Sequence, residues 1–363
     1  MENLKKTLIK AARKAHQVFD ELKDRPSSDP IKIESYTGYA SQDRMFLKGR
    51  VLEDDNIMVT KSYEELKRIF YSFKRFETDE IPGVKVLLYL DDHEFQVYTD
   101  EEGFYTLDIA TPDSINVKPG EWIRGYAELP DIVGDDGPVR GTIKLRVPDS
   151  EASYGVISDI DDTILQTHVT SLFQLKMMFV TLFKEASQRL AMEGMVELYQ
   201  EMSTTPVGGK NPFFYVSNSP WNIYPMLVEF LKLNELPSGP VLLRDFGFGM
   251  LHQNEGYRGH KIETISHIFR AYPDMQFILF GDSGSKDADV YLNLALEFPD
   301  QIKTIYIRHL KDTKNARRVA NLINQKGEVD AIIIDSTREI AADAREKGYV
   351  SEKFVLTEVE ADE

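Results

Sequence analysis

Apolar and polar positions along the chain change their period twice. From residue 4 to 22, Leu4, Leu8, Ala11, Ala15, Phe19 and Leu22 recur every three to four residues, which predicts an amphipathic helix flanked by Lys5, Lys6, Lys10, Arg13 and Lys14. A break from Arg25 to Pro30 follows, and then short runs of β-formers between Gly, Asp and Pro turns. These runs are F-L-K-G-R-V-L from residue 46, V-K-V-L-L-Y-L from 84, E-F-Q-V-Y-T-D from 94, G-F-Y-T-L-D-I from 103, W-I-R-G-Y-A-E-L from 122 and V-R-G-T-I-K-L-R-V from 139. Their spacing predicts a β-sandwich, interrupted by a helical insert between Ser62 and Phe76. Tyr98 to Tyr105 reads as a hairpin corner, with Gly103 free to take positive φ.

From Tyr154 the pattern changes again. Continuous apolar runs at Val156–Ser158, Phe213–Ser217, Val241–Leu243, Phe277–Gly281, Thr304–Ile307 and Ala331–Ile334 are separated by helix-length segments. Strands apolar on both faces predict a parallel sheet covered by helices on either side. The organisation expected is a basic helix over 1–24, a sandwich-like domain over 25–150 and an α/β domain over 151–363.

Composition narrows the function classes. No run approaches the roughly 20 apolar residues that span a bilayer, and Met1-Glu2-Asn3-Leu4-Lys5 opens no signal peptide, so a cytoplasmic protein is expected. The absence of cysteine removes disulfides, thiolate nucleophiles and cysteine-bound metals. A net charge of -17 with no basic stripe in the body of the chain argues against nucleic acid. The basic helix fits either docking on the first domain, with its lysines in water, or contact with a membrane surface.

Ligands of parallel sheets bind at the carboxyl ends of the strands. There the chain places V-I-S-D-I-D-D-T-I over 156–164, with Asp159, Asp161 and Asp162; Ser217-Asn218-Ser219-Pro220; and Asp282-Ser283-Gly284-Ser285-Lys286-Asp287. Gly259-His260-Lys261 opens a helix ahead of the last of these strands. Carboxylates crowded at one sheet edge repel one another unless a cation sits among them, and an oxygen-only set favours Mg²⁺ over softer metals. A helix-loop-helix calcium site would need Gly and Glu where Ile164 and Thr170 stand. Gly281-Asp282-Ser283-Gly284 imitates a serine-protease tetrad, but in an α/β setting without that framework. A purely structural aspartate cluster leaves the matching signals at the other strand ends unexplained. Neither nucleotide-binding glycine loop is present, and no histidine pair has metal-site spacing.

The order D-x-D-x-T, strand-terminal Ser, Lys and G-D-S-x-x-x-D resembles the haloacid dehalogenase superfamily of phosphohydrolases. More narrowly, D-I-D-D-T-I, S-N-S-P-W-N-I-Y-P, G-P-V-L-L-R-D and F-G-D-S-G-S-K-D are similar to the catalytic domain of actin-patch-type Mg²⁺-dependent phosphatidate phosphatases, over about residues 150–340. The resemblance implies a haloacid dehalogenase-like α/β fold and hydrolysis of a phosphate monoester, phosphatidate first among them, to diacylglycerol and phosphate. It also implies roles. Asp159 would be the nucleophile, Asp161 the general acid and base, and Ser217 a donor to the phosphoryl oxygens. Lys261 would offset the charge of nucleophile and phosphate. Asp159, Asp282, Asp287 and the backbone carbonyl of Asp161 would hold Mg²⁺. Asn218 and Arg244 are further candidates for substrate contact, Arg244 equally for a structural ion pair.

Two other readings stand beside this one: a phosphatase of a soluble sugar or protein phosphate, and a non-catalytic module that recognises phosphorylated ligands. Intact Asp159 and Asp161 argue against the second. About 40 residues separate Ser219 from Gly259, which leaves little room for a lid, so an open site is expected. A helix over Ser171–Lys184 would be apolar around most of its circumference, with Gln174, Thr181 and Glu185 on its polar side. It would be buried in an interface between domains or copies, or it would dip into a membrane. Segments 4–22 and 171–184 are therefore the two candidate membrane contacts.

Overall fold

Strand-period alternation builds the first sheet and unbroken apolar runs build the second. The structure, a computed structural model, describes residues 30–53, 81–134, 137–161, 163–164, 194–244, 259–284, 286–309, 313–325 and 329–357. The expected helix at 4–22, the insert at Ser62–Phe76 and the helix at 171–184 lie outside these residues. Two compact units meet in sequence between Val147 and Pro148.

The first unit holds β1 (Ile31–Ser35), β2 (Gly38–Ala40), β3 (Arg44–Glu53), β4 (Lys85–Leu90), β5 (His93–Tyr98), β6 (Phe104–Ala110), β7 (Trp122–Gly134) and β8 (Gly137–Arg146). They pair in the order β1-β3-β2-β8-β7-β4-β5, with β6 on the other edge of β3. All pairings are antiparallel except β2 with β8. Alternate residues, among them Met45, Leu47, Val86, Leu88, Leu90, Ala127, Ile143 and Leu145, turn into one core. Each fully buried Met, Val, Leu or Ile of this kind contributes about 1.5–3 kcal/mol. The corner at Gly103 differs from expectation. Gly103 does take φ 73°, and a Cβ there would lie 2.6 Å from the Val51 carbonyl oxygen. The strands it joins form no hairpin, however: β5 pairs with β4, and β6 with β3. It is a corner between separate ladders.

The second unit carries β9 (Gly155–Ser158), β10 (Phe213–Pro220), β11 (Val241–Arg244), β12 (Phe277–Asp282), β13 (Ile302–Arg308) and β14 (Ala331–Ile334). All neighbours are parallel, in the order β11-β10-β9-β12-β13-β14. Its helices are α1 (Met195–Met202), α2 (Tyr224–Leu233), α3 (His260–Ala271), α4 (Asp287–Glu297), α5 (Thr313–Gln325) and α6 (Thr337–Glu346). β9 and β12 are buried along their whole length, as continuous apolar runs require. The chain steps outward from β9 to β10 and β11, then returns to the far side of β9 for β12, β13 and β14. The reversal falls between β9 and β12, and the carboxyl ends of strands at such a point are the position at which open parallel sheets bind ligands.

Candidate active site

Asp159 follows β9 and stays in sheet register, because its N–H donates to the Phe280 carbonyl at 2.9 Å. Asp282 closes β12, and its Oδ1 accepts from the Gly284 N–H at 2.6 Å, which folds the following turn back on the carboxylate. Asp287 opens α4, where the positive end of the helix favours a carboxylate. One oxygen from each of Asp159, Asp282 and Asp287 lies within 4.8 Å of the others, and all three residues are buried. Gly281 permits this. A Cβ at that position would stand 2.7 Å from the Asp287 Cβ and 2.8 Å from its Oδ2.

Lys261, in the first turn of α3, reaches the same place. Its Nζ donates to Asp159 Oδ1 at 2.8 Å and to Asp287 Oδ1 at 2.5 Å, and the side chain is buried. Burial opposes the lysine's charge, but Asp159 and Asp287 outweigh it and push its pKa up. Burial raises Asp159 well above the usual carboxylate range; Lys261 works against that rise, while Asp287, Asp161 and Asp282 add to it. With all three carboxylates ionised, one ammonium would leave two negative charges in a buried space, which is why Asp159 holds its proton when no cation is there. A divalent cation matches that deficit, and a donor set made of oxygen suits a hard one.

Asp161 turns elsewhere. Its Oδ2 accepts from Ser217 Oγ at 2.7 Å and from Ser219 Oγ at 3.1 Å, and the Ser219 N–H donates to Ser217 Oγ at 2.9 Å. The Asp161 carboxylate therefore belongs to the β10 end and stands apart from the three clustered side chains. The Ser217 hydroxyl, expected to donate to phosphoryl oxygens, donates to the Asp161 carboxylate in the substrate-free chain. Asn218 is exposed between the two serines, and half-buried Arg244 ends β11 opposite Pro220. Sequence reasoning gave no role to Ser219 or Gly281; a glycine within an apolar strand, as a sign of close approach, is the signal that could have found the latter. Nor did it single out Arg308, which ends β13 in register with Asp282, donates from Nη2 to Thr337 Oγ1 at 3.2 Å and has its pKa lowered by burial.

Comparison with known proteins finds sequences similar to this chain. The Phosphatidate phosphatase APP1 of Saccharomyces cerevisiae is 31% identical over 247 residues, covering 64% of this chain and 39% of that protein. An uncharacterised protein of Schizosaccharomyces pombe is 27% identical over 244 residues, covering 67% of this chain and 38% of its own length. The chain thus spans about two fifths of the length of these relatives. A carbohydrate acetylesterase structure from Xanthomonas citri covers 82% of this chain and 66% of its own at 9% identity and a TM-score of 0.27, a likeness that fixes neither fold nor function. Residues 154–309, which hold Asp159, Asp161, Ser217, Asn218, Arg244, Lys261, Asp282 and Asp287, match the family described as Phosphatidate phosphatase APP1, catalytic domain.

Proposed function

We propose that this chain is a Mg²⁺-dependent phosphomonoester hydrolase of the haloacid dehalogenase type, acting on phosphatidate through an aspartyl-phosphate intermediate. The observation that carries the reading is the buried set Asp159, Asp282, Asp287 and Lys261 at the sheet's reversal point, inside the segment that matches a phosphatidate phosphatase catalytic domain. In this reading residues 151–363 are the phosphatase domain and 25–150 a sandwich-like companion.

The chemistry follows from the residues. An Asp159 carboxylate oxygen attacks phosphorus, the bond to the substrate alkoxide breaks, and Asp161 gives the departing oxygen its proton. Water then attacks the phosphoryl group, Asp161 takes a proton from it, and inorganic phosphate leaves with the Asp159 carboxylate restored. Ser217 and Ser219 hold Asp161 in place through its Oδ2. Lys261 keeps Asp159 oriented and offsets charge as the dianionic substrate arrives. Asp159, Asp282 and Asp287 would hold Mg²⁺, with the Asp161 carbonyl as a further ligand. When bound, the ion supplies the positive charge that lets carboxylates and phosphate share one buried site. Asn218 and Arg244, at the ends of β10 and β11, stand where the rest of the substrate would extend.

Phosphatidate places the work at a membrane surface reached from the cytoplasm. Segments 4–22 and 171–184 are the proposed contacts; among the described residues no helix is long and apolar enough to cross a membrane. The test is release of inorganic phosphate from phosphatidate in mixed micelles, from sugar phosphates and from a phosphopeptide, with Mg²⁺ and after EDTA. Release from phosphatidate that stops in EDTA and returns with Mg²⁺ supports the proposal. Preference for a soluble ester would reject the lipid substrate, and full activity after chelation would reject the metal.

A further inference from the structure

Two buried tyrosines converge on the peptide that carries Asp159. Successive residues of a strand face opposite sides of a sheet. Ser158 and Phe280 are paired across β9 and β12 and share one face; Asp159 and Gly281 lie on the other. On the first face, Tyr199 of α1 lies against Phe280, ring centroids 5.1 Å apart, and its hydroxyl is 2.8 Å from Ser158 Oγ. Ser158 Oγ donates to the Asp159 carbonyl at 2.6 Å. A serine hydroxyl has one proton, so the Tyr199 hydroxyl must donate to Ser158, and the relay runs from Tyr199 through Ser158 to the Asp159 carbonyl.

On the opposite face, Tyr291 of α4 donates its hydroxyl to the Phe280 carbonyl at 2.9 Å, the oxygen that also accepts the Asp159 N–H at 2.9 Å. Tyr291 reaches that carbonyl because Gly281 has no side chain: a Cβ there would lie 2.7 Å from Tyr291 Cε2. Ser158, Tyr199 and Tyr291 are fully buried. Burial raises both phenols, which keeps them protonated as donors.

We infer that Tyr199, acting through Ser158, and Tyr291, acting through the Phe280 carbonyl, are positioning residues that clamp both ends of the Asp159 residue from the two faces of the sheet. The inference rests on the proposed role of Asp159 as nucleophile. An in-line attack on phosphorus tolerates little misplacement, since an error of about 1 Å costs on the order of a hundredfold in rate. The side chain of Asp159 can be no better placed than its own N–H and C=O. The two tyrosines donate hydrogen bonds and take no part in the reaction.

The experiment uses the full chain with Tyr199→Phe, Ser158→Ala, Tyr291→Phe, the double variant Ser158→Ala/Tyr199→Phe and the double variant Tyr199→Phe/Tyr291→Phe. Each is measured for melting temperature, for amide hydrogen exchange in the peptide spanning 155–161, and for steady-state hydrolysis of p-nitrophenyl phosphate with Mg²⁺. The expected result is faster exchange at 155–161 and a kcat lowered about tenfold in each single variant, with KM changed by less than about twofold. Members of one relay should not add, so Ser158→Ala/Tyr199→Phe should be no worse than either single change, whereas losses from Tyr199→Phe and Tyr291→Phe should multiply. Wild-type exchange and wild-type kcat in folded Tyr199→Phe and Tyr291→Phe would overturn the clamp, as would a kcat loss that matches the unfolded fraction. Should the unaltered protein hydrolyse no phosphomonoester, the proposed activity falls and exchange alone judges the clamp: faster exchange upholds it, unchanged exchange overturns it.

Discussion

The second unit buries charge that the first, in its closest ion pairs, leaves in water. In the first unit, ion pairs sit at the surface: Arg44 with Asp108 at 2.7 Å and Arg140 with Glu128 at 2.6 Å, each with an arginine well exposed to water. In the second, Lys261 meets Asp159 and Asp287 with every side chain at 4% exposure or less. Solvent screens the first kind of pair, and its loss changes little. Removing charges from water in the second kind costs several kcal/mol per ion before any attraction offsets it. Stability alone gives no reason to concentrate four ionisable groups at the reversal point of a sheet. A ligand of opposite charge does, and the contrast separates the unit that carries the proposed site from one whose strands bury a packed core.

The strongest way to break that contrast is Asp159→Asn, which keeps the shape and removes the attacking oxygen. Turnover should fall at least about 10⁴-fold in a folded protein. The same variant carries a stability prediction of fixed sign. Burial and the neighbouring carboxylates lift Asp159 above its unfolded value, so the folded state keeps that proton to higher pH than the unfolded chain does. The associated stability is present below the ordinary carboxylate range and is lost as pH rises through the raised value. In metal-free protein Asp159→Asn should therefore be the more stable form at neutral pH, with its advantage vanishing in acid. Urea unfolding at several pH values reads this directly, and a destabilised variant at neutral pH would contradict it.

Lys261→Met comes next. It leaves Asp159 and Asp287 without their ammonium, which should cost about 3–5 kcal/mol in the metal-free chain, partly recovered by Mg²⁺. Denaturation with and without the ion measures both, and an unchanged midpoint would show that the pair is not buried as described. The smallest effect is expected for Arg44→Ala in the first unit. Loss of its pair with Asp108 should cost about 1 kcal/mol or less and leave phosphate release unaltered.

How far the sequence revealed these features follows from which interactions are local. The parallel strands were legible because burial on both faces leaves an apolar run: Ala331–Ile334 was read to the residue, and β10 ran longer only by its polar end, Asn218 to Pro220. β1 and β2 went unread. The first is five residues of mixed polarity behind Pro30, and the second is three residues held by β3 on one edge and β8 on the other. Ile31-Lys32-Ile33-Glu34 alternates for only two repeats, and three residues are too few for any period. The corner at Gly103 showed its turn chemistry but not its partners, since pairing is set by strands distant in sequence. At the site, Asp159, Asp282, Asp287 and Lys261 stood out as charges beside apolar strands. Ser219, Tyr199 and Tyr291 matter through what they touch across the fold, and no local pattern announces that, whereas Gly281 leaves one sign, a glycine inside an apolar strand.

The central claim is that Asp159 forms a bond to phosphorus. Acid quenching of the full chain during hydrolysis of phosphatidate with Mg²⁺, followed by peptide mapping in a mass spectrometer, tests it most directly. The account predicts a phosphoryl adduct on Asp159 that disappears when hydroxylamine cleaves the acyl phosphate and is absent from Asp159→Asn. An adduct on another residue, or undiminished turnover by Asp159→Asn, would contradict it.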